Sequence, residues 1–333
     1  MYKHSQSSIS KTGSITVIGP ALIDIITAPV PSPLPSSGSQ LVRTSTISYG
    51  GDALNEAVAL SRFGKKTDLI TLVGGDEAGA MVLKYIRANA VDDRHVRVDK
   101  SLQTSVHIVL VDERGERRFL MNEEGSARKL SAGDILPCIE DSSDIVSFAS
   151  LFISPLLTME AVRDVFEAVK KKPGRLLVVD MSRPKNHERM EDLKPLLPYV
   201  DYILPNQSEI AQITGDDDPV RNAERLTAAG AGCAVVKCGK KGCVVGTADT
   251  VCEIPAYPTS NCVDTTGAGD TFAAGFLWAL SEGWSPHECG RFGNAAASCS
   301  VEHYGAVSGI SSLAEPMRRY EFMRCSSGTG KEV

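Results

Sequence analysis

The sequence predicts an α/β fold: a mainly parallel central sheet flanked by helices, with a small separate β-sheet beside it. Two patterns carry this. From residue 144 onward, β-prone runs at 145–148, 176–179, 202–204 and 233–237 alternate with helix-prone runs at 158–170 and 219–229. Such alternation calls for parallel strands with helical crossovers on both faces. Earlier, β-prone runs at 104–112 and 117–121 are joined by Asp112, Glu113, Arg114 and Gly115, a hairpin signal. Paired with β-prone runs near 22–28 and 42–48, that hairpin makes the small sheet.

Composition sets the outer bounds. Apolar residues make up 42% and charged residues 23% of the 333, as in ordinary globular chains. The net charge of −6 and the lack of a long Lys/Arg run argue against nucleic acid or an anionic membrane as partner. No apolar run reaches membrane-spanning length, and the N-terminal residues lack the apolar core of a secretory signal. Nine cysteines include Cys233, Cys238 and Cys243, which show no C-x-x-C spacing, so zinc is not expected. They are expected to act mostly as small buried hydrophobes, in a reducing cytoplasm.

In chain order, the polar residues 1–12 read as a frayed tail. The run from Ser14 to Gly19 suits a central strand. Asp24 lies among apolar neighbours near a strand end, either exposed by alternation or aimed into a site. The segment 29–39, rich in Pro, Ser and Gly, is a loop. Gly50 and Gly51 permit a sharp strand-to-helix turn, and the helix that follows carries Leu54, Ala57, Val58 and Leu60 before a stop at Gly64. Asn55 is either solvated or faces the same opening as the glycines. Strand 67–73 leads through Gly74 and Gly75 into a helix reaching about residue 89. No G-x-G-x-x-G fingerprint and no G-x-x-x-x-G-K-[ST] loop occurs, which weighs against a dinucleotide-dependent oxidoreductase and a P-loop kinase. Asp180, Asn206 and Asp264 each follow an apparent strand, the position where ligands gather in such sheets. Asn206 and Glu209 have the spacing of a helix N-cap with a capping-box partner, and equally of two groups facing one point. Small residues from Arg291 to Val301 suit a helix packed closely on the one before it.

The most informative stretch is VDTTGAGDTF, Val263 to Phe272, which joins a β-prone segment to an apolar helix running to Leu280. Gly267 and Gly269 carry no Cβ, so another molecule can approach the backbone. The first N–H groups of a helix lack intrahelical partners and sit at the positive end of its dipole, which makes an anion site. Asp270 then sets a carboxylate where an anion is expected. It either merely favours the helix dipole or takes a proton from a group attacking a bound phosphate.

DTTGAGDTFAAGF, together with GGDALN at Gly50–Asn55, resembles the signatures of the ribokinase-like (PfkB) family of sugar and nucleoside kinases, and the likeness runs from about residue 14 to 312. The resemblance implies a ribokinase-like domain over 13–324, with lid segments at about 22–48 and 102–122 and flexible tails at 1–12 and 325–333. It implies an ATP-dependent sugar kinase acting on a monosaccharide or sugar acid, with Asp270 as base and the amides of Gly267, Ala268 and Gly269 stabilising phosphoryl charge. Asp24, Gly50, Gly51, Asp52 and Asn55 would bind the sugar, joined by Arg118 unless that side chain is simply solvated. Asn206, Lys237, Gly239, Gly242 and Asn294 would line ATP, although Lys237 stands where the family usually has Thr; Ser182 likewise replaces a common Asn. Glu209 would hold Mg2+ through water, and Asp264, Thr266 and Gly305 would serve a monovalent cation, K+. A homodimer through the lid is common in the family. A nucleoside kinase and a non-catalytic sugar or nucleotide sensor are the alternatives on the same fold. Arg183 and Lys185 either favour a sugar acid or form a solvated basic loop.

Overall fold

The computed structural model describes residues 11–34, 38–259 and 261–327, so most of the expected tails, at 1–10 and 328–333, lie outside the described residues. The chain opens with β1 (Ser14–Ile18), then β2 (Leu22–Val30), β3 (Thr44–Gly50), α1 (Asp52–Arg62), β4 (Lys66–Gly74), α2 (Glu77–Ala88) and β5 (Val96–Asp99). The hairpin β6 (Val106–Asp112) and β7 (Arg117–Met121) follows, then α3 (Ala132–Ile135), β8 (Ile145–Leu151), α4 (Met159–Lys170), β9 (Leu176–Met181), α5 (Met190–Leu193) and β10 (Tyr202–Ile203). The last part comprises α6 (Gln207–Thr214), α7 (Pro219–Ala228), β11 (Cys233–Lys237), β12 (Cys243–Gly246), β13 (Val251–Ile254), α8 (Ala268–Ser281), α9 (Pro286–Ser300) and α10 (Ala314–Ser327).

Nine strands form the central sheet in the order β13-β12-β11-β10-β9-β8-β1-β4-β5. It is parallel from β5 to β11, and antiparallel only where β12 and β13 close the edge. Both faces are buried. Ile15 and Val17 point into an apolar layer with α1, α8 and α9, while Ile18 points into the opposite layer with α4, α6 and α7. This is why the strands read as continuous apolar runs rather than alternating ones. A separate sheet of order β3-β2-β6-β7 is the small one expected from the hairpin.

The helix α8 is apolar all round, and every residue from Thr271 to Ser281 is buried. It packs closely on α9 because the contact residues are small: a Cβ on Gly275 would sit 2.8 Å from that of Ala296. Of the nine free cysteines, only Cys233, Cys243, Cys289 and Cys299 are buried, fewer than expected; Cys252, Cys262 and Cys325 are exposed. Among the described residues, no helix is long and apolar enough to cross a membrane.

Candidate active site

Two glycine turns at helix starts build the site; the first follows β3, but no strand covers 261–267, so Asp264 does not sit at a strand end as expected. At the first, Gly51 adopts φ 96°, and a Cβ there would collide with the carbonyl of Pro20. That conformation swings α1 under the lid and brings Asn55 toward the start of α8. At the second, Gly267 adopts φ 69° as the N-cap of α8, and no side chain caps that helix. The first-turn amides of α8 therefore keep their anion-binding capacity, apart from that of Ala268, which leans on the Thr265 carbonyl at 3.3 Å.

The two turns meet in one hydrogen bond: Asn55 Nδ2 donates to Asp270 Oδ2 at 2.7 Å. Desolvation pushes the Asp270 carboxyl well above its ordinary value, and the nearby negative charges of Asp52 and Asp180 add to this, against the Asn55 bond and the charge of Lys237. Asp52 is bonded to Ser150 at the end of β8, and burial also raises its carboxyl. Behind them, fully buried Glu56 accepts from Ser147 Oγ at 2.7 Å, while its Oε1 has no partner.

Lys237 is the cation of this cluster. It ends β11, pairs with Asp180 at the end of β9, and is nearly buried. Its Nζ lies 3.5 Å from where a Cβ on Gly269 would be, so the ammonium hangs over the first turn of α8. Lys237 is thus neither solvated nor inert, and Asp180 joins the site although neither its type nor its spacing singled it out beyond a strand end. Burial, offset in part by Lys237, raises the Asp180 carboxyl to about 7.

Asn206 and Glu209 make a reciprocal capping box on α6: Asn206 Oδ1 accepts from Glu209 N at 2.9 Å, and Glu209 Oε2 accepts from Asn206 N at 2.8 Å. Gly239 and Gly242 bracket the turn between β11 and β12. Asn294, buried, donates to the carbonyls of Ile254 and Pro255 at 3.2 Å, so it ties α9 to the chain after β13.

On the lid side, Asp24 of β2 abuts Gly50 and lies 3.5 Å from His107 Nδ1 of β6. Register sets the faces: Asp24 is level with His107, and His107 with Met121. Arg117 therefore shares the Asp24 face, while Arg118 lies on the other and bonds Ser32. The inward-turned arginine of the hairpin is Arg117, not Arg118. Its guanidinium reaches Asp264 Oδ1 at 2.5 Å. Asp264 also accepts from Thr266 N at 2.8 Å and from Gly305 N at 2.9 Å. Strict alternation counted back from Asp24 across the hairpin was the signal that distinguishes the two arginines. Arg183 is exposed, and Lys185 bonds the Ile153 carbonyl at 3.1 Å. Beside it opens a cavity of about 490 Å³ lined in part by Arg128, Phe152, Ser154 and Lys185.

Comparison with known proteins gives the family and the fold. Residues 12–313 match the pfkB family carbohydrate kinases. A 2-dehydro-3-deoxygluconokinase of Haemophilus influenzae is 28% identical over 276 residues, 78% of this chain and 88% of its own. An uncharacterized sugar kinase of Archaeoglobus fulgidus is 30% identical over 259 residues, 76% of this chain and 98% of its own. The solved structure of Arabidopsis thaliana ribokinase complexed with ribose and ATP is similar with a TM-score of 0.80 at 25% identity, covering 93% of this chain and 99% of that one. With a ribokinase-like fold and both signature turns in contact, the chain belongs to the pfkB family of carbohydrate kinases, phosphotransferases with an alcohol acceptor.

Proposed function

We propose that this kinase transfers the γ-phosphoryl group of ATP to a hydroxyl of a monosaccharide or sugar acid, with Asp270 as the general base. The observation that carries the reading is the Asn55–Asp270 hydrogen bond at 2.7 Å, which ties the turn into α1 to the anion-binding turn of α8. Asp24, Gly50, Gly51, Asp52 and Asn55 would hold the acceptor's hydroxyls beneath the lid. The amides of Gly267, Gly269 and Asp270 would receive the transferring group, joined by that of Ala268 once it leaves its long bond to the Thr265 carbonyl. The acceptor oxygen attacks phosphorus, its proton passes to the Asp270 carboxylate, and the bond to ADP breaks. Fixed amides aimed at the developing charge need no reorganisation during that step. Lys237, over the same turn, would meet a phosphate oxygen, with Asn206, Gly239, Gly242 and Asn294 along the nucleotide.

Among the described residues no group of three or more His, Cys, Asp or Glu is placed to hold a metal directly. Glu209 fits a hydrated divalent ion, since only its Oε2 is engaged in the cap. When bound, Mg2+ would offset phosphate charge, with Glu209 holding it through water. The 490 Å³ cavity pairs Arg128 and Lys185 with Glu188 and Asp192 and includes neither Asn55 nor Asp270, so it favours neither a neutral sugar nor a sugar acid. A homodimer through the lid is also proposed: Ile47, Ile108 and Leu120 are exposed on one face of the small sheet, level with Ile25. An ADP-coupled assay with ribose, fructose, a keto-deoxy sugar acid and a nucleoside tests the reading. Turnover of the sugar acid or a neutral sugar is expected. Turnover of the nucleoside alone would make it a nucleoside kinase, and none at all would favour a sensor.

A further inference from the structure

We propose that Arg117 supplies, from within the chain, the positive charge that a monovalent cation would bring to the loop ahead of α8, so that this kinase works without K+. The inference rests on the kinase reading above and concerns Asp264, the residue expected to serve such a cation.

The Asp264 side chain is only 4% accessible, and both of its oxygens are already used. Its Oδ1 receives Arg117 Nη2 at 2.5 Å and Thr266 N at 2.8 Å; its Oδ2 receives Gly305 N at 2.9 Å. Gly305 therefore presents its N–H, not its carbonyl, to Asp264. A buried carboxylate needs a counter-charge, and the guanidinium is a permanent one. These residues, as arranged, do not fit a bound K+ beside Asp264.

The hairpin makes this arrangement specific. Arg117 opens β7 opposite Val111, on the face of the lid that carries Asp24 and His107. A neighbouring arginine, Arg118, is directed to Ser32 and cannot substitute. Arg117 touches no reacting atom in this scheme. It is a positioning residue that fixes Asp264 and, through the Thr266 and Gly305 amides, the turn from which α8 starts.

The arrangement also predicts a rescue. Thr266 Oγ1 is buried beside the Asp264 carboxylate, close enough to help lower it, but makes no well-formed hydrogen bond. Removing the guanidinium leaves that hydroxyl and a carboxylate oxygen held only by the Thr266 amide beside a gap, a set of hard oxygens suited to a monovalent cation.

The test compares wild type and Arg117→Gln in tetramethylammonium chloride and in KCl at equal ionic strength, by ADP production and by thermal unfolding. Wild-type turnover should change less than about twofold between the salts, with no selective rise in Tm. Arg117→Gln should lose about tenfold in tetramethylammonium, the scale of one charge-assisted contact, and recover with a higher Tm in KCl. A wild type that needs KCl overturns the proposal, whether or not the variant folds. So does a folded Arg117→Gln protein that is indifferent to KCl, whether fully active or inactive. If no acceptor turns over in either salt, the kinase reading fails, while the Tm comparison still decides the role of Arg117.

Discussion

Asp270 is held in a surrounding that makes its charged form costly. Desolvation raises its carboxyl, Asp52 and Asp180 raise it further, and Asn55 and Lys237 only partly offset them. A base must be ionised to accept a proton, so kcat/KM is expected to fall on acidification at a pH above the usual Asp range of about 4. A profile that stays flat down to that range contradicts the assignment. The same shift has a consequence for stability. A carboxyl whose folded pKa is raised favours the fold while protonated, and that contribution is lost as pH rises through the folded value. Asp270→Asn should therefore raise Tm at neutral and alkaline pH, with the gain vanishing in acid; a lower Tm at all pH values would contradict it. Gly267 tests the turn itself. Its φ of 69° and the 2.5 Å that would separate a Cβ from Ala306 Cα leave no room for a side chain. Gly267→Ala should cost roughly 1–3 kcal/mol in urea unfolding and most of the activity. Gly267 and Asp270 were legible in the sequence because their positions in the turn have physical meaning. Asp180 was legible only as a strand-end residue, and Arg117 not at all, because the pairings with Lys237 and Asp264 span 57 and 147 residues of chain.

Among the elements, the long strands and helices were legible and the short or polar ones were not. β5, β12 and β13 have only four residues each, too few to show a period. α10 extends through Ser327, past the expected domain end. Met317, Tyr320 and Met323 pack it on the apolar layer of α8 and α9, with Tyr320 against Trp284 and Phe292, and charge adds to that packing. Buried Arg319 bonds Ser298 Oγ of α9 at 3.0 Å, Glu302 at 2.7 Å and Glu315 at 2.8 Å, and stacks over Tyr257 at 4.9 Å. Such a dependence on tertiary partners is invisible to local pattern. Arg319→Ala should destabilise the fold by roughly 2–4 kcal/mol, because it strips partners from Glu302 and Glu315 and leaves a gap against Tyr257. Urea titration checks this, and a change under about 0.5 kcal/mol would show that α10 is held some other way.

At the scale of the molecule, the parallel sheet gathers Ser150, Asp180, Asn206 and Lys237 at the carboxyl ends or just beyond β8 to β11, and the lid adds Asp24, His107 and Arg117 from outside that sheet. The alternation of strands and helices foretold Asp180 and Asn206, and the family resemblance foretold Lys237 and Asp24; Ser150 was not foretold, and strand register resolved His107 and Arg117. The apolar row of Ile47, Ile108 and Leu120 on the other lid face is the basis of the proposed dimer. Sedimentation velocity should show wild-type dimers that Ile108→Glu converts to monomers, and monomeric wild type at micromolar concentration would remove that proposal. The account as a whole stands on proton removal by one carboxylate at the start of α8. Its most direct test is the turnover of Asp270→Asn with ATP and the best acceptor, measured beside its affinity for ATP. A loss of about 10²–10⁴-fold in kcat with nucleotide binding retained is predicted; turnover within tenfold of wild type would contradict it.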